Sequence, residues 1–380
     1  MFLFLSLGLS AKYAILFAGS NTYSNYRHQA DVFYMYHILK SHGFDDDHIS
    51  LWAFNDIVNH SLNPYPGKIF HTLNNKNIYP GDDKIDFKGY QLTSTNLIKY
   101  LKRMNTTKDD DIFFYYNDHG AQNLLICPDD TFITTYELAN TFNTMHKLGK
   151  YKRIFFMVEA CFSGCLSESV NAPNIAVMTA AQCNESSYAA IRSPWTNSLL
   201  SNEFSTYSMS EIEMNPQHTI RSLFQNVHDK MIRSTPTSFG DILDTPISEF
   251  IGFGPKSSIR RQAFDFDEEK FRHPELHASR QALEEFKQYQ KEQKSLAEKM
   301  EKSIKTIVEK VAGIQAPLHM KRLVTGDLQK CYEPVLHSYF GKLGKFNQDY
   351  LYLISPLKSL CTKYESKVII EAIESVFQSL

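Results

Sequence analysis

The chain has 380 residues, enough for two domains, and 43% of them are hydrophobic, so a large core can form. Its formal net charge is −2, which argues against a nucleic-acid binder, because phosphate contacts need a basic surface. No apolar run reaches the length of a membrane span.

The first eleven residues, Met1 to Ala11, are apolar and end in small side chains. They read as a short secretory signal cleaved near Ala11. The competing reading extends the first strand backwards, but Lys12 interrupts the run and Tyr13 to Phe17 already makes a strand. Sequons begin at Asn59, Asn105 and Asn184 and permit glycosylation in a secreted chain. A helix is expected over Ala30 to Ser41, and a second strand over Ile49 to Phe54. A long polar loop follows, over 57–92, rich in Pro and Gly. Loops of that length are functional or insertion-like. The helix Ser94 to Met104 stacks Leu97, Leu101 and Met104 on one face. The run Ile112 to Tyr116 reads as a third strand, buried on both faces. Thr134 and Glu137 form a candidate capping box for the next helix. The run Ile154 to Val158 is a fourth buried strand, and Ile175 to Ala181 a fifth.

This alternation predicts an α/β fold, a mostly parallel sheet with helices on both faces. Around 251–274 the character changes to Gly, Pro and Ser, then Arg260, Arg261, Asp265 and Asp267. Beyond Pro274 the pattern is helical. Leu296, Met300, Ile304, Ile307 and Val311 recur at helical spacing, and a further stretch runs from Glu365 to Phe377. The expected division is a signal over 1–11, a catalytic domain over 12–254, a linker over 255–275 and an all-helical domain over 276–380. Cys331 and Cys361 stand alone in the helical region and suit a disulfide in an oxidising compartment. The pairing of Cys127, Cys165 and Cys183 stays open. A zinc site on Cys161 and Cys165 would need His119 to join them and lacks the usual ligand spacing, so no metal is expected.

Chemistry concentrates just past the third and fourth strands, in Asn117-Asp118-His119-Gly120 and Glu159-Ala160-Cys161-Phe162-Ser163-Gly164. Open α/β sheets place active sites at those strand ends. Taken alone, a His after a strand is more often structural, and a buried Cys is more often inert. Together they make a nucleophile, Cys161, and a proton shuttle, His119. The backbone N–H groups of Cys161 and Gly120 suit an oxyanion, and Gly120, lacking a Cβ, lets substrate approach the backbone. Asn25, in the loop after the first strand, is the best candidate to hold the imidazole.

These motifs resemble the legumain (asparaginyl endopeptidase) family of caspase-like cysteine peptidases. The resemblance runs through Phe17 to Asn21, Asn25 to Asp31, Asn117 to Gly120, Glu159 to Cys161 with Ser163-Gly164, Thr179 to Ala181 and Glu185 to Ala189. The helical tail resembles that family's C-terminal prodomain. The resemblance implies Cys161 as nucleophile, His119 as acid–base and Asn25 as orienting residue, with no cofactor. It implies an S1 pocket from Arg27, His28, Glu159 and Ser186. Arg27 would bond an Asn carbonyl while Glu159 accepts from its NH₂. Cys331 and Cys361 match one prodomain disulfide of the family. Implied partners are protein substrates, the chain's own prodomain as an inhibitor, and cystatin-type inhibitors. The implied location is the secretory pathway, ending in a lysosome-like or vacuolar compartment or outside the cell.

Some positions depart from the family pattern. An ungapped reading puts Asn202 where the family has a second S1 carboxylate, with Glu203 beside it, so one residue of slippage would restore the acid. With Asn202 in the pocket, Asp at P1 is expected to be tolerated at higher pH. Phe162 replaces an acidic residue, and Ala121 a Gly. No Asn lies between Asn226 and Asn347. Acid-triggered self-cleavage in the linker would therefore follow Asp265 or Asp267, with cleavage by another protease at Arg260-Arg261 as the competitor. Competing functions are a GPI-anchor transamidase-like activity, a peptide ligase, and an inactive binding protein keeping the fold.

Overall fold

The computed structural model describes residues 10–74, 76–128, 131–196, 198–253, 280–313 and 325–379. Most of the expected signal, and the linker with Asp265 and Asp267, lie outside them. The described residues form two compact units, one carrying the main sheet and one made of the helices from Arg280 onward together with the short segment Gly120–Leu124.

Before Arg280 the described chain runs in order β1 (Lys12–Ala18), α1 (Tyr26–Ser41), β2 (Ile49–Ala53), β3 (Phe87–Lys88), α2 (Ser94–Arg103) and β4 (Asp111–Asn117). Three short strands follow, β5 (Gly120–Ala121), β6 (Leu124–Ile126) and β7 (Phe132–Thr134). Then come α3 (Thr135–Lys147), β8 (Arg153–Glu159) and β9 (Ile175–Thr179). A hairpin, β10 (Ala189–Arg192) and β11 (Leu199–Asn202), leads into α4 (Glu203–Met214), α5 (Ile220–His228), β12 (Thr237–Gly240) and α6 (Ser248–Ile251).

The main sheet has seven strands in the order β12-β9-β8-β4-β1-β2-β3, and only β12 runs antiparallel. The aromatic runs explain its centre. Successive strand residues point to opposite faces, so Phe113 and Tyr115 enter one core cluster while Phe114 and Tyr116 enter the other. The first cluster packs under α1, α4, α5 and α6, and the second under α2 and α3. The expected capping box forms in part: Thr134 Oγ1 accepts from the Glu137 backbone N–H at 3.0 Å and starts α3.

Two expected boundaries move. Helix α1 begins at Tyr26, four residues before the expected Ala30, because its polar first turn carries site residues rather than core. The fifth strand ends at Thr179, short of Ala181. The expected loop over 57–92 also contains the short strand β3.

The α-helices of the second unit are α7 (Arg280–Ala312), α8 (Thr325–Leu343), α9 (Ser355–Cys361) and α10 (Ser366–Ser379). Met300, Ile304, Ile307 and Val311 are buried along one face of α7, as their spacing requires. A disulfide joins Cys331 in α8 to Cys361 at the end of α9.

Candidate active site

Register brings the two motifs together. Asn117, the last residue of β4, pairs with Glu159, the last residue of β8, and with Ala18, the last of β1. His119, Cys161 and Ser20 each lie two residues beyond that row. Three parallel strands therefore deliver an imidazole, a thiol and a hydroxyl to one end of the sheet.

His119 is 6% exposed, and its Nε2 lies 2.9 Å from Asn25 Oδ1. Asn25 occupies the N-cap position of α1 yet makes no cap bond. An Asn there usually bonds the first turn's N–H groups. Here its Nδ2 donates to the Asn21 carbonyl at 3.1 Å, which fixes the amide so that Oδ1 faces the imidazole. The carbonyl oxygen can only accept, so Nε2 carries hydrogen and Nδ1 is the basic nitrogen.

Cys161 is half-buried after β8, and its Sγ lies 3.7 Å from the Ser187 carbonyl oxygen and 3.9 Å from the Ser187 hydroxyl. Burial raises its thiol pKa, while Ser187 and Ser186 act to lower it. The thiol is thus kept protonated, and a base must take its proton as it attacks. Phe162, next in the chain, has φ +57°, the left-handed region that few bulky residues adopt. Its N–H donates to the Glu185 carbonyl at 2.8 Å. Gly120 is buried at the start of β5.

Beside these lies a buried polar cluster. Arg27 Nε donates to Asn202 Oδ1 at 2.9 Å. Asn202 Nδ2 donates to Asp31 Oδ2 at 2.7 Å and to Asn117 Oδ1 at 3.2 Å. Asp31 also accepts from Asn117 Nδ2 at 2.7 Å, and its Oδ1 lies 2.7 Å from His71 Nε2. Asn202 thereby links the Arg27 cation to the Asp31 carboxylate, which an Asp could not do without facing another acid. Glu203 turns elsewhere, accepting from the Ile232 and Arg233 backbone N–H groups at 3.1 and 3.2 Å. The one-residue slippage that would put an acid against Arg27 does not occur.

Glu159 is 1% exposed. Its Oε2 accepts from the Ser205 N–H at 3.1 Å and hydroxyl at 2.9 Å, and its Oε1 makes no hydrogen bond. Burial, then the Asp31 charge, pushes its pKa from the ordinary 4.5 to about 8. His28 is 2% exposed, with Nδ1 2.6 Å from Ser20 Oγ and its ring edge-on to His119 at 4.9 Å. Burial holds its pKa well below 6.5, so it stays neutral. Its Nδ1 also lies 3.5 Å from Asp118 Oδ1. Ser186 is half-buried next to Cys161.

Asp31, Ser20, Ser187 and Ser205 were not singled out in the sequence. Asp31, Ser20 and Ser187 lay within the motifs Asn25 to Asp31, Phe17 to Asn21 and Glu185 to Ala189, whereas Ser205 lay in none. Asn59, Asn105 and Asn184 are all exposed.

Comparison with known families matches residues 12–253 to the Peptidase C13 family. The chain belongs to that family, the legumain-type cysteine peptidases. Among curated relatives, the chain is 33% identical over 262 residues to hemoglobinase of Schistosoma mansoni, covering 65% of this chain and 61% of that one. It is 30% identical to legumain of Canavalia ensiformis, covering 61% and 54%. It is 28% identical to the GPI-anchor transamidase of Saccharomyces cerevisiae, covering 63% and 62%. The matches thus span about half to three fifths of those relatives. Among solved structures, caspase-1 of Spodoptera frugiperda aligns over 65% of this chain with a TM-score of 0.42 at 13% identity.

Proposed function

We propose that this C13 chain is a cysteine endopeptidase that cleaves after Asn, and after Asp where the pocket admits it. The observation that supports the reading is the His119–Asn25 hydrogen bond of 2.9 Å, with His119 and Cys161 each two residues past the paired strand ends Asn117 and Glu159. In this reading His119 Nδ1 takes the Cys161 thiol proton as sulfur attacks the scissile carbonyl. It then returns the proton to the leaving amine. The N–H groups of Cys161 and Gly120 face the oxyanion. Arg27 binds the P1 side-chain oxygen. Glu159, protonated up to about pH 8, can meet a P1 amide or a P1 carboxylate through Oε1. Because Asn202 rather than an acid faces Arg27, a P1 Asp meets an un-neutralised cation, which extends its acceptance toward neutral pH.

We also propose the finer organisation the sequence suggested. A signal over 1–11 sends the chain into the secretory pathway, toward a vacuolar or lysosome-like compartment. Glycans sit at Asn59, Asn105 and Asn184. The helical region over 276–380 is a prodomain that inhibits the enzyme until acid triggers cleavage at Asp265 or Asp267. Cystatin-type proteins are candidate external inhibitors. The transamidase relative supports the second reading, in which an amine replaces water at the thioester. No helix among the described residues is long and apolar enough to cross a membrane.

The test is titration with an Asn-based covalent probe before and after acid treatment, with Asn and Asp fluorogenic peptides compared from pH 4 to 7. Labelling of Cys161 only after acid, with Asp cleavage persisting toward pH 7, is the expected result. An unlabelled Cys161 at every pH would remove the peptidase reading. An Asn-only profile throughout would remove the Asn202 argument.

A further inference from the structure

Cys165 and Cys183 form a disulfide 18 residues apart in sequence. Cys165 is fully buried in the 3₁₀ turn Ser163–Glu168, which directly follows Cys161. Cys183 is half-buried in the loop over 180–188. That loop ends on Ser186 and Ser187, the two hydroxyl residues beside the Cys161 sulfur.

The turn and the loop are laid backbone against backbone. Gly164 N–H donates to the Ala181 carbonyl at 2.9 Å, and Phe162 N–H to the Glu185 carbonyl at 2.8 Å. A Cβ on Gly164 would meet Ala181 O at 2.8 Å and Cys183 N at 2.9 Å, so only glycine lets the two segments approach this closely. The disulfide sits between those two hydrogen bonds. Glu185 adds a third tie on the loop's outer side, where its carboxylate accepts from the Thr235 N–H at 2.9 Å. Past the serines the chain is held by a different partner, the Tyr188 carbonyl accepting from the Glu203 N–H at 2.8 Å. The serine pair is thus anchored on both sides, and the anchor that fixes it relative to the nucleophile turn is the hold of 181–185 against 162–165.

We infer that the Cys165–Cys183 bond is a positioning device for the Ser186–Ser187 wall, holding it in register with the Cys161 sulfur so that the P1 side chain is gripped. The inference rests on the peptidase reading for what the wall does. Backbone hydrogen bonds alone leave a half-exposed loop free to open locally, and a covalent link removes those open states. Reduction by a water-soluble phosphine converts the bond to two thiols, and phosphorus takes the oxygen of one water as the phosphine oxide. The wall then loosens, while Cys161 and His119 stay anchored two residues past the ends of β8 and β4.

The experiment compares the acid-matured wild-type enzyme with Cys165→Ala/Cys183→Ala. A chelator is present throughout, because the freed thiols and the Glu168 carboxylate have donor atoms within 4.8 Å of one another and would gather stray zinc. Wild type is first tested for Asn-P1 over Ala-P1 cleavage. Loss of that preference in wild type overturns the peptidase reading itself, independently of the disulfide. With the preference established, the variant is expected to show a KM for the Asn peptide raised roughly tenfold, with kcat nearly unchanged, as lost uniform binding does. Iodoacetamide should alkylate Cys161 at the wild-type rate. A lowered melting temperature with an unchanged KM overturns the inference and leaves the bond a structural staple. Equal loss of kcat and of Cys161 alkylation also overturns it. Should the variant not fold, graded phosphine treatment of folded wild type replaces it. KM must then rise in step with the two new thiols counted by mass; a KM independent of that count is the refuting result.

Discussion

The two ends of the β4–β8 strand pair are built from the same kinds of residue and behave oppositely. At the amino end Asp111 pairs in register with Arg153. Arg153 forks onto it with bonds of 2.8 and 2.7 Å and reaches Glu249 at 2.8 Å. Those bonds raise the arginine's pKa further and lower that of Glu249. At the carboxyl end Glu159 pairs in register with Asn117, and no cation bonds its carboxyl group. Its pKa climbs instead to about 8. At the amino end the buried acid has a cation that forks onto it, and removing that cation would leave the acid unpaired. An acid buried beside an amide stays neutral and destabilises the fold whenever it must ionise. Unrelieved polar groups of the second kind gather where chemistry is done.

The largest expected effect lies at the carboxyl end. His119→Ala should lower kcat/KM by roughly 10²–10⁴-fold, the usual worth of a general acid–base. Its melting temperature should stay close to wild type. A variant with near-normal turnover would break the proposed division between a catalytic and a structural end. At the amino end the pattern should invert. Arg153→Ala leaves the 1%-exposed Asp111 unpaired and should cost about 3–5 kcal/mol of stability, read by denaturant unfolding. KM for the Asn peptide should be unchanged wherever the protein is still folded. A raised KM would show that the two ends are coupled.

Glu159→Gln sharpens the comparison through pH. The native pKa of Glu159, about 8, lies above the ordinary 4.5. Between those values the native state holds a proton that the unfolded chain releases. Stability is therefore greatest below about pH 4.5 for this group, falls as pH rises, and levels off above about pH 8. The Gln variant cannot ionise, so its melting temperature should decline less from pH 5 to 8 than that of wild type. Identical slopes would mean that Glu159 is ionised, or solvated, in the native protein.

The sheet was legible from the sequence for a simple reason. Ile112 to Tyr116 and Ile154 to Val158 are short apolar runs, and only a strand covered on both faces buries every residue of such a run. The segment from 189 to 251 was not legible. Strand β10 alternates half-buried and exposed positions. Helix α4 buries Glu203, Ser205, Ser208 and Glu211 beside its apolar residues, so no hydrophobic stripe marks it. Its polar side chains are buried because distant groups receive them, Ser205 by Glu159 and Glu203 by the chain at 232–233. Periodicity cannot register a hydrogen bond to a residue forty positions away.

The sequence by itself determined the five apolar strands β1, β2, β4, β8 and β9, the strand-end motifs and the chemical identities of thiol, imidazole and amide, because these depend on residue type and local spacing. Only the tertiary structure decided what each polar group faces. It gave Asn202, not Glu203, to Arg27, turned Asn25 Oδ1 to His119 Nε2 by tying the Asn25 amide to the Asn21 carbonyl, and joined Cys165 to Cys183. It also left Glu159 without a cation. Charge state, tautomer and pairing are set by neighbours brought from far along the chain, and those neighbours exist only once the sheet has closed its register.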